Sequence, residues 1–183
     1  MLPSHTPRSM RGKTHKKTPM LIHTPRFILR LPPTATPLFH HRFITTYTAY
    51  VKSVALQAEH RSHSHILSLS SYFPLRRHTS GAPSTICLYE MYTSIPDYIR
   101  YHPTLVELEE LAVDLIIIAN DLLSYNKEQA VGDDEHSIVT VIMKQFGVGV
   151  QEAFDRAGEL AKQKMERFEE VWGQAEDESG GVN

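Results

Sequence analysis

The clearest structural signal in this sequence is a stretch of nine residues from Asn120 to Glu128. It reads N-D-L-L-S-Y-N-K-E, so that Asn120, Ser124 and Glu128 stand four residues apart. On an α-helix this spacing stacks the three side chains along one face, with a drift of about 40° per step. An amide oxygen, a hydroxyl and a carboxylate are hard donors of the kind Mg²⁺ prefers. The pattern predicts a helix with a Mg²⁺ site; the alternative is a polar patch satisfied by hydrogen bonds between helices.

The residues before this stretch predict a long, buried helix. Residues 105–119 are rich in Leu, Val, Ile and Ala, and their second half is apolar nearly all round. Thr104 is a suitable N-cap, with Glu107 three residues further on. We therefore expect the helix to begin near Thr104 and the metal face to lie at its inner end.

The nine residues match, at every fixed position, the second metal motif of the class I terpene synthases, N-D-x-x-S-x-x-[KR]-E. Gln129 and residues 137–143 look most like the fungal sesquiterpene synthases. This resemblance implies an all-α fold, a partial class I terpenoid synthase α-helical bundle. It also implies a Mg²⁺-dependent lyase that ionises an isoprenyl diphosphate, farnesyl diphosphate being the expected substrate, and cyclises the resulting carbocation.

A second stretch, Y-F-P-L-R-R-H-T-S-G at residues 72–81, predicts a helix that breaks at its glycine, since glycine supplies the backbone freedom. Arginine suits bidentate phosphate recognition. The family places a diphosphate-sensing arginine here, with an effector, usually glycine, four residues later. Counting from Arg77 reaches Gly81, whereas counting from Arg76 reaches Ser80, a poorer fit. The resemblance thus implies that Arg77 senses the diphosphate, that the Gly81 carbonyl assists ionisation, and that Lys127 is a further diphosphate contact.

Two parts of the family's equipment are not found in this sequence. The first acidic residue is Glu59, so no aspartate-rich D-D-x-x-D motif precedes the sensor stretch, and the C-terminal Arg-Tyr pair is also missing. The resemblance covers residues 38–172, roughly the second half of a synthase domain. The alternative function is therefore an inactive helical fragment that binds at most Mg²⁺–diphosphate or a protein partner. Apolar helix faces left without partners predict self-association.

The first 37 residues differ in composition from the rest of the chain. They hold seven Lys or Arg, seven prolines and no acid, which predicts a disordered basic segment without a counterpart in the family. A transit peptide is an alternative, but the prolines interrupt the amphipathic helix it needs. A nucleic-acid-binding arm is another, on charge alone. The segment is expected to precede a helical domain at 38–172 and a polar tail at 173–183.

The composition of the whole chain bears on its partners and on its compartment. Net charge is −2, so we expect no nucleic-acid partner. Apolar runs near the motif fall far short of the 18 or so residues of a membrane span. Cys87 is the single cysteine, which fits a reducing, cytoplasmic setting.

Helical periodicity without strand alternation predicts five to six helices. The first starts near Leu38, with Arg42 at the place of an arginine that the family often carries. Ser137 is expected to cap a short helix that ends at Gly147. The last helix is expected over residues 150–172, with an inner face of Ala153, Phe154, Ala157, Leu160, Ala161, Met165, Phe168 and Trp172. The acidic loop 132–136 and the histidines at 60–65 are not expected to bind metal.

Overall fold

A computed structural model describes residue 32 and residues 34–180 of the chain, with side chains to residue 177. The described part contains α-helices and one 3₁₀ turn, Leu88–Glu90, and no strand. The helices are α1 Pro37–Ser62, α2 Leu69–Thr79, α3 Ala82–Cys87, α4 Asp97–Arg100, α5 Pro103–Val131, α6 Ile138–Phe146 and α7 Val150–Gly180. The all-α prediction is confirmed. Most of the predicted disordered segment, residues 1–31 and 33, lies outside the described residues.

The first helix begins where the sequence predicts. The Thr36 hydroxyl accepts a hydrogen bond from the Phe39 backbone N–H at 3.1 Å, and Pro37 occupies the first helical position, where its missing N–H costs nothing. Phe39 and Phe43 are buried and stack at 5.6 Å between ring centroids. This end of α1 is therefore fixed against the turns around residue 91, whose carbonyl accepts from the Thr36 N–H.

The central helix α5 runs for 29 residues. It begins at Pro103 with His102 as N-cap, so the predicted cap at Thr104 is wrong; the fixed φ of proline already starts the helix one residue earlier. It ends at Val131, and the following Gly132 adopts a left-handed conformation with φ of 69°. Its buried positions form one stripe that packs against α2, α6 and α7, namely Leu108, Val113, Asp114, Ile117, Ile118, Asp121 and Tyr125.

The core is completed by α6, the most apolar of the helices. Its Ile138, Val139, Val141 and Ile142 are buried, and burying each such side chain contributes about 1.5–3 kcal/mol. The Ser137 side chain accepts a hydrogen bond from the Val139 N–H, as predicted for its cap. At the same start the Ile138 N–H donates to Asp121 of α5 at 2.7 Å, which fixes where α6 meets α5.

The last helix extends beyond its predicted end. It continues past Trp172 to Gly180, and Met165 and Trp172, expected on the inner face, are exposed. Arg167 binds Glu107 at 2.7 Å, which places this part of α7 beside the first turn of α5. Val171 is 2% exposed and Trp172 is 51% exposed, so at this level the buried face of α7 passes through Val171 and Trp172 lies beside it. None of the helices in the described part is long and apolar enough to cross a membrane.

Candidate metal and diphosphate site

The three candidate metal ligands lie at the border between the buried face of α5 and its open side. Asn120 is exposed, and Ser124 and Glu128 are half-buried. Leu123, on the open side of the same turns, is 88% exposed. The expectation that this face lies at the inner end of a buried helix is therefore wrong, because the described helices around α5 leave Asn120 and Leu123 exposed.

The oxygen atoms of Ser124 and Glu128 are spaced as two ligands of one Mg²⁺ would be. The Ser124 hydroxyl donates a hydrogen bond to Glu128 Oε1 at 2.8 Å. In an octahedral Mg²⁺ complex neighbouring ligand oxygens stand about 2.9 Å apart, so the two atoms can occupy adjacent positions around one ion. Within the described residues no group of three or more His, Cys, Asp or Glu side chains is placed to hold a metal. Glu128 is the single carboxylate of the triad. Three side chains cannot fill the octahedral shell of Mg²⁺, so water and phosphate oxygens would fill the remaining positions.

The aspartate of the motif, Asp121, has a different role from its neighbours. It is fully buried and accepts hydrogen bonds from the Tyr72 hydroxyl, from Arg76 Nη2 and, at 2.7 Å, from the Ile138 backbone N–H. These partners come from α2 and from the first turn of α6. We refer to Asp121, Tyr72, Arg76 and the Ile138 N–H as the Asp121 cluster.

The charges of the Asp121 cluster stabilise one another. Burial and the adjacent Asp121 carboxylate raise the pKa of Tyr72 well above its ordinary value, so the phenol stays a donor. Burial is the largest single influence on Arg76 and would lower its pKa, but the attraction and hydrogen bonding of Asp121 and Tyr72 together outweigh it, and the pKa is raised. The cluster is thus a buried ion pair whose remaining acceptor sites are taken by a hydroxyl and a backbone amide, as a buried charge requires.

A second buried carboxylate, Asp114, binds the predicted sensor. Arg77 donates from Nε and Nη2 to its two oxygens at 2.7 and 2.8 Å, and from Nη1 to Glu110 at 2.6 Å. Lys164 of α7 binds Asp114 at 2.7 Å. Hydrogen bonding to Asp114, more than any other contact, raises the pKa of Arg77. The sequence analysis missed Asp114 and Lys164, although an aspartate inside the apolar run of residues 111–119 is itself a sign of a paired, buried charge.

Arg77 contacts α5 at Glu110 and Asp114, which lie N-terminal to the triad on the same helix. Asp114 precedes Asn120 by six residues and Glu128 by fourteen, which is about 9 and 21 Å along the helix axis. Arg76, bound to Asp121, stands closer to the triad. Arg77 also lines a cavity of about 350 Å³ whose α5 residues are Val106, Glu109, Glu110 and Val113. The sensor role of Arg77 stays a prediction.

The helix break at Gly81 lies where it was predicted. Gly81 adopts φ of 75° between α2 and α3, a conformation that glycine takes without strain. Its carbonyl accepts hydrogen bonds from the Thr85 N–H at 3.1 Å and from the Thr85 hydroxyl at 3.2 Å. Both lone pairs of the carbonyl are therefore used within α3, and a contact with substrate requires that one of them is released. The effector role also stays a prediction.

The two remaining basic residues have contrasting settings. Lys127 is exposed on α5, one residue before Glu128. Arg42 is buried and bound to Glu90, to Asp97 at 2.6 Å and to the Ile95 carbonyl at 2.9 Å. Lys127 thus lies outside the core and remains a candidate diphosphate contact, whereas Arg42 joins α1 to the turns before α5.

Comparison with known proteins shows the family of this chain. Residues 5–167 match the family described as terpene synthase family 2, C-terminal metal binding. The chain belongs to this family of terpene synthases. A Δ(6)-protoilludene synthase of Hypholoma sublateritium is 38% identical over 147 residues, which are 80% of this chain and 45% of the relative. Sesquiterpene synthase 14 of Postia placenta is 38% identical over 145 residues, 79% of this chain and 41% of the relative.

Solved structures share the fold. The linalool/nerolidol synthase of Streptomyces clavuligerus superposes with a TM-score of 0.76 at 18% identity, covering 93% of this chain and 60% of the other. The germacradien-4-ol synthase of Streptomyces citricolor gives a TM-score of 0.69 at 21% identity, covering 85% and 49%. The chain spans less than half of the length of the curated relatives named above.

Proposed function

We propose that this chain carries one metal site and the diphosphate contacts of a Mg²⁺-dependent sesquiterpene synthase. The observation that carries the proposal is the Ser124–Glu128 oxygen pair, 2.8 Å apart on α5, with Asn120 one turn before it. Mg²⁺ bound there would supply Lewis-acid stabilisation of the departing diphosphate. Family membership supports the reaction class, a lyase acting on an isoprenyl diphosphate.

The chain's own residues have distinct parts in this proposal. Asn120, Ser124 and Glu128 hold the ion through an amide oxygen, a hydroxyl and a carboxylate. Lys127, exposed beside Glu128, contacts the diphosphate, and Arg77 is the second cationic contact. The Gly81 carbonyl faces the ionising bond once Thr85 releases it.

Farnesyl diphosphate is the proposed substrate. The relatives that the chain matches include a sesquiterpene synthase of Postia placenta, and a sesquiterpene has the fifteen carbons of a farnesyl group. The proposed setting is the cytoplasm, which the single cysteine of the sequence, Cys87, supports because it fits a reducing compartment.

The second candidate function is binding without turnover. It is favoured by the absence of a D-D-x-x-D motif from the sequence and by the exposure of Ile116 and Leu123 along α5. With one of the family's metal sites, most of the charge stabilisation for the leaving diphosphate is missing, and each 1.4 kcal/mol withheld lowers the rate about tenfold. We therefore propose that the 183-residue polypeptide by itself binds Mg²⁺–diphosphate but does not cyclise farnesyl diphosphate.

The test is to incubate the purified chain with farnesyl diphosphate and Mg²⁺ and to analyse the volatile products by gas chromatography–mass spectrometry. Binding without turnover predicts no cyclic product, and at most farnesol-type alcohols from water capture. A cyclic sesquiterpene that disappears in Asn120→Ala and Glu128→Ala, but persists in the exposed control Glu169→Ala, would establish the first function for this polypeptide and exclude the second.

A further inference from the structure

We propose that Asp121 is a positioning residue for the metal ligands of α5, an inference that rests on the proposed function. Asp121 follows Asn120 directly and precedes Ser124 by three residues. Because successive residues of an α-helix are rotated by about 100°, the direction of one side chain fixes the directions of its neighbours. Anchoring Asp121 towards the core therefore determines that Asn120 and Ser124 lie at its border.

The anchors of Asp121 come from two other helices. The Tyr72 hydroxyl and Arg76 Nη2 hold it from α2, and the Ile138 N–H holds it from the first turn of α6 at 2.7 Å. That N–H belongs to a helix start, where amides have no partner within the helix and negative charge is favoured. One carboxylate thus joins three helices at the level of the candidate metal ligands.

Rotation of α5 at this level would break all of these contacts together. Tyr72 is fully buried, and the side chain of Asp121 is only 2% exposed, so water cannot replace the lost partners. Ser124 and Glu128, in contrast, are only half-buried, and their direction depends on the helix that carries them. The same contacts assign Arg76 to the Asp121 cluster, just as Arg77 is paired with Asp114 and Glu110.

The experiment measures Mn²⁺ affinity of the full chain, without diphosphate, by electron paramagnetic resonance of the free ion. It is done well below the unfolding temperature of each variant. Asp121→Asn keeps the size of the side chain but removes its charge, and we expect Mn²⁺ affinity to fall about tenfold. Tyr72→Phe removes a single hydrogen bond from the cluster, and we expect a fall of about threefold.

Glu90→Gln is the matched control. Glu90 is a buried carboxylate that also binds two arginines, Arg42 and Arg100, away from the triad. We expect this variant to unfold at a lower temperature but to keep the Mn²⁺ affinity of the wild type. If Asp121 contributes to stability alone, Asp121→Asn will also unfold at a lower temperature and keep the Mn²⁺ affinity of the wild type. That result would overturn the inference.

The other outcomes are also decisive. If Asp121→Asn does not fold, Tyr72→Phe decides: the threefold loss supports positioning, and an unchanged affinity overturns it. A wild-type chain that binds no Mn²⁺ would overturn the proposed metal site and the inference with it. Binding by the wild type with no effect of either cluster variant would overturn the inference alone.

Discussion

The guanidinium of Arg77 binds the buried carboxylate of Asp114 with two nitrogen atoms, at 2.7 and 2.8 Å, across the contact between α2 and α5. Lys164 reaches the same carboxylate from α7 at 2.7 Å. Three helices therefore meet at one fully buried negative charge. This cluster lies two to four turns before the candidate metal ligands and stabilises the helix that carries them.

Loss of the Asp114 charge should destabilise the fold. In Asp114→Asn the cations of Arg77 and Lys164 remain close together without their shared partner. We expect the free energy of unfolding to fall by about 3 kcal/mol, measured by urea denaturation. Glu152→Gln, which removes an exposed pair with Arg156 within α7, should change it by less than about 0.5 kcal/mol. Equal changes in the free energy of unfolding for the two variants would show that the buried Asp114 charge stabilises the fold no more than an exposed ion pair does.

The stability of the chain should depend on the protonation of His136. Burial, with the nearby positive groups Arg61, His60 and Arg76, lowers the pKa of His136 from 6.5 to about 4. Between these values the unfolded chain binds more protons than the folded chain, so this contribution is present above pH 6.5 and is lost as the pH falls towards 4. The loss is at most about 3 kcal/mol, at 1.36 kcal/mol per pKa unit.

His136→Gln tests this assignment, because it removes the titrating group. Unfolding free energies measured from about pH 7 to 4 should fall less steeply in the variant than in the wild type. His63→Gln, at an exposed position, should leave the wild-type slope unchanged. Parallel curves for the wild type and His136→Gln would contradict the lowered pKa.

Substitution of two glycines should have opposite effects. Gly81→Ala places a side chain at φ of 75°, which lowers the free energy of unfolding by about 1–2 kcal/mol. The new Cβ would stand 3.8 Å from the Tyr50 ring, which is an ordinary contact, so the cost comes from the backbone conformation. Gly158→Ala lies in the middle of α7 with nothing within 4 Å, and should stabilise the chain by about 1 kcal/mol. Thermal unfolding of both variants measures the difference. Stabilisation by Gly81→Ala would contradict the left-handed break.

Self-association should depend on the open side of α5. Leu123 is 88% exposed, so Leu123→Glu disturbs no core contact but places a charge on the apolar face. We expect sedimentation velocity to show a concentration-dependent assembly of the wild type and a larger monomer fraction of the variant, with equal unfolding temperatures. A wild-type chain that is monomeric at all concentrations would exclude this use of the face.

The sequence could predict those features that depend on neighbours along the chain. Helical periodicity, the Ser137 cap and the break at Gly81 are local, and the structure confirms them. The i, i+4, i+8 spacing likewise predicts that Asn120, Ser124 and Glu128 share one face of a helix.

Features that depend on the packing of distant helices could not be predicted in the same way. The partners of Asp121 are 45 and 49 residues away on α2, and that of Asp114 on α7 is 50 residues away. Such pairings follow from the relative positions of the helices, which periodicity does not determine. The buried face of this end of α7 likewise follows from packing, since Val171 is buried whereas the neighbouring Trp172 is exposed.

The proposed metal site is tested by the binding of Mg²⁺ and inorganic pyrophosphate, measured by isothermal titration calorimetry on the wild type, Glu128→Gln and Glu169→Gln. We predict that the wild type and the exposed α7 control Glu169→Gln bind with equal affinity. Glu128→Gln should bind more than about tenfold more weakly, because it loses the charged ligand of the Ser124–Glu128 pair. Equal affinity of all three proteins, or no binding by the wild type, would contradict a metal site at Asn120, Ser124 and Glu128.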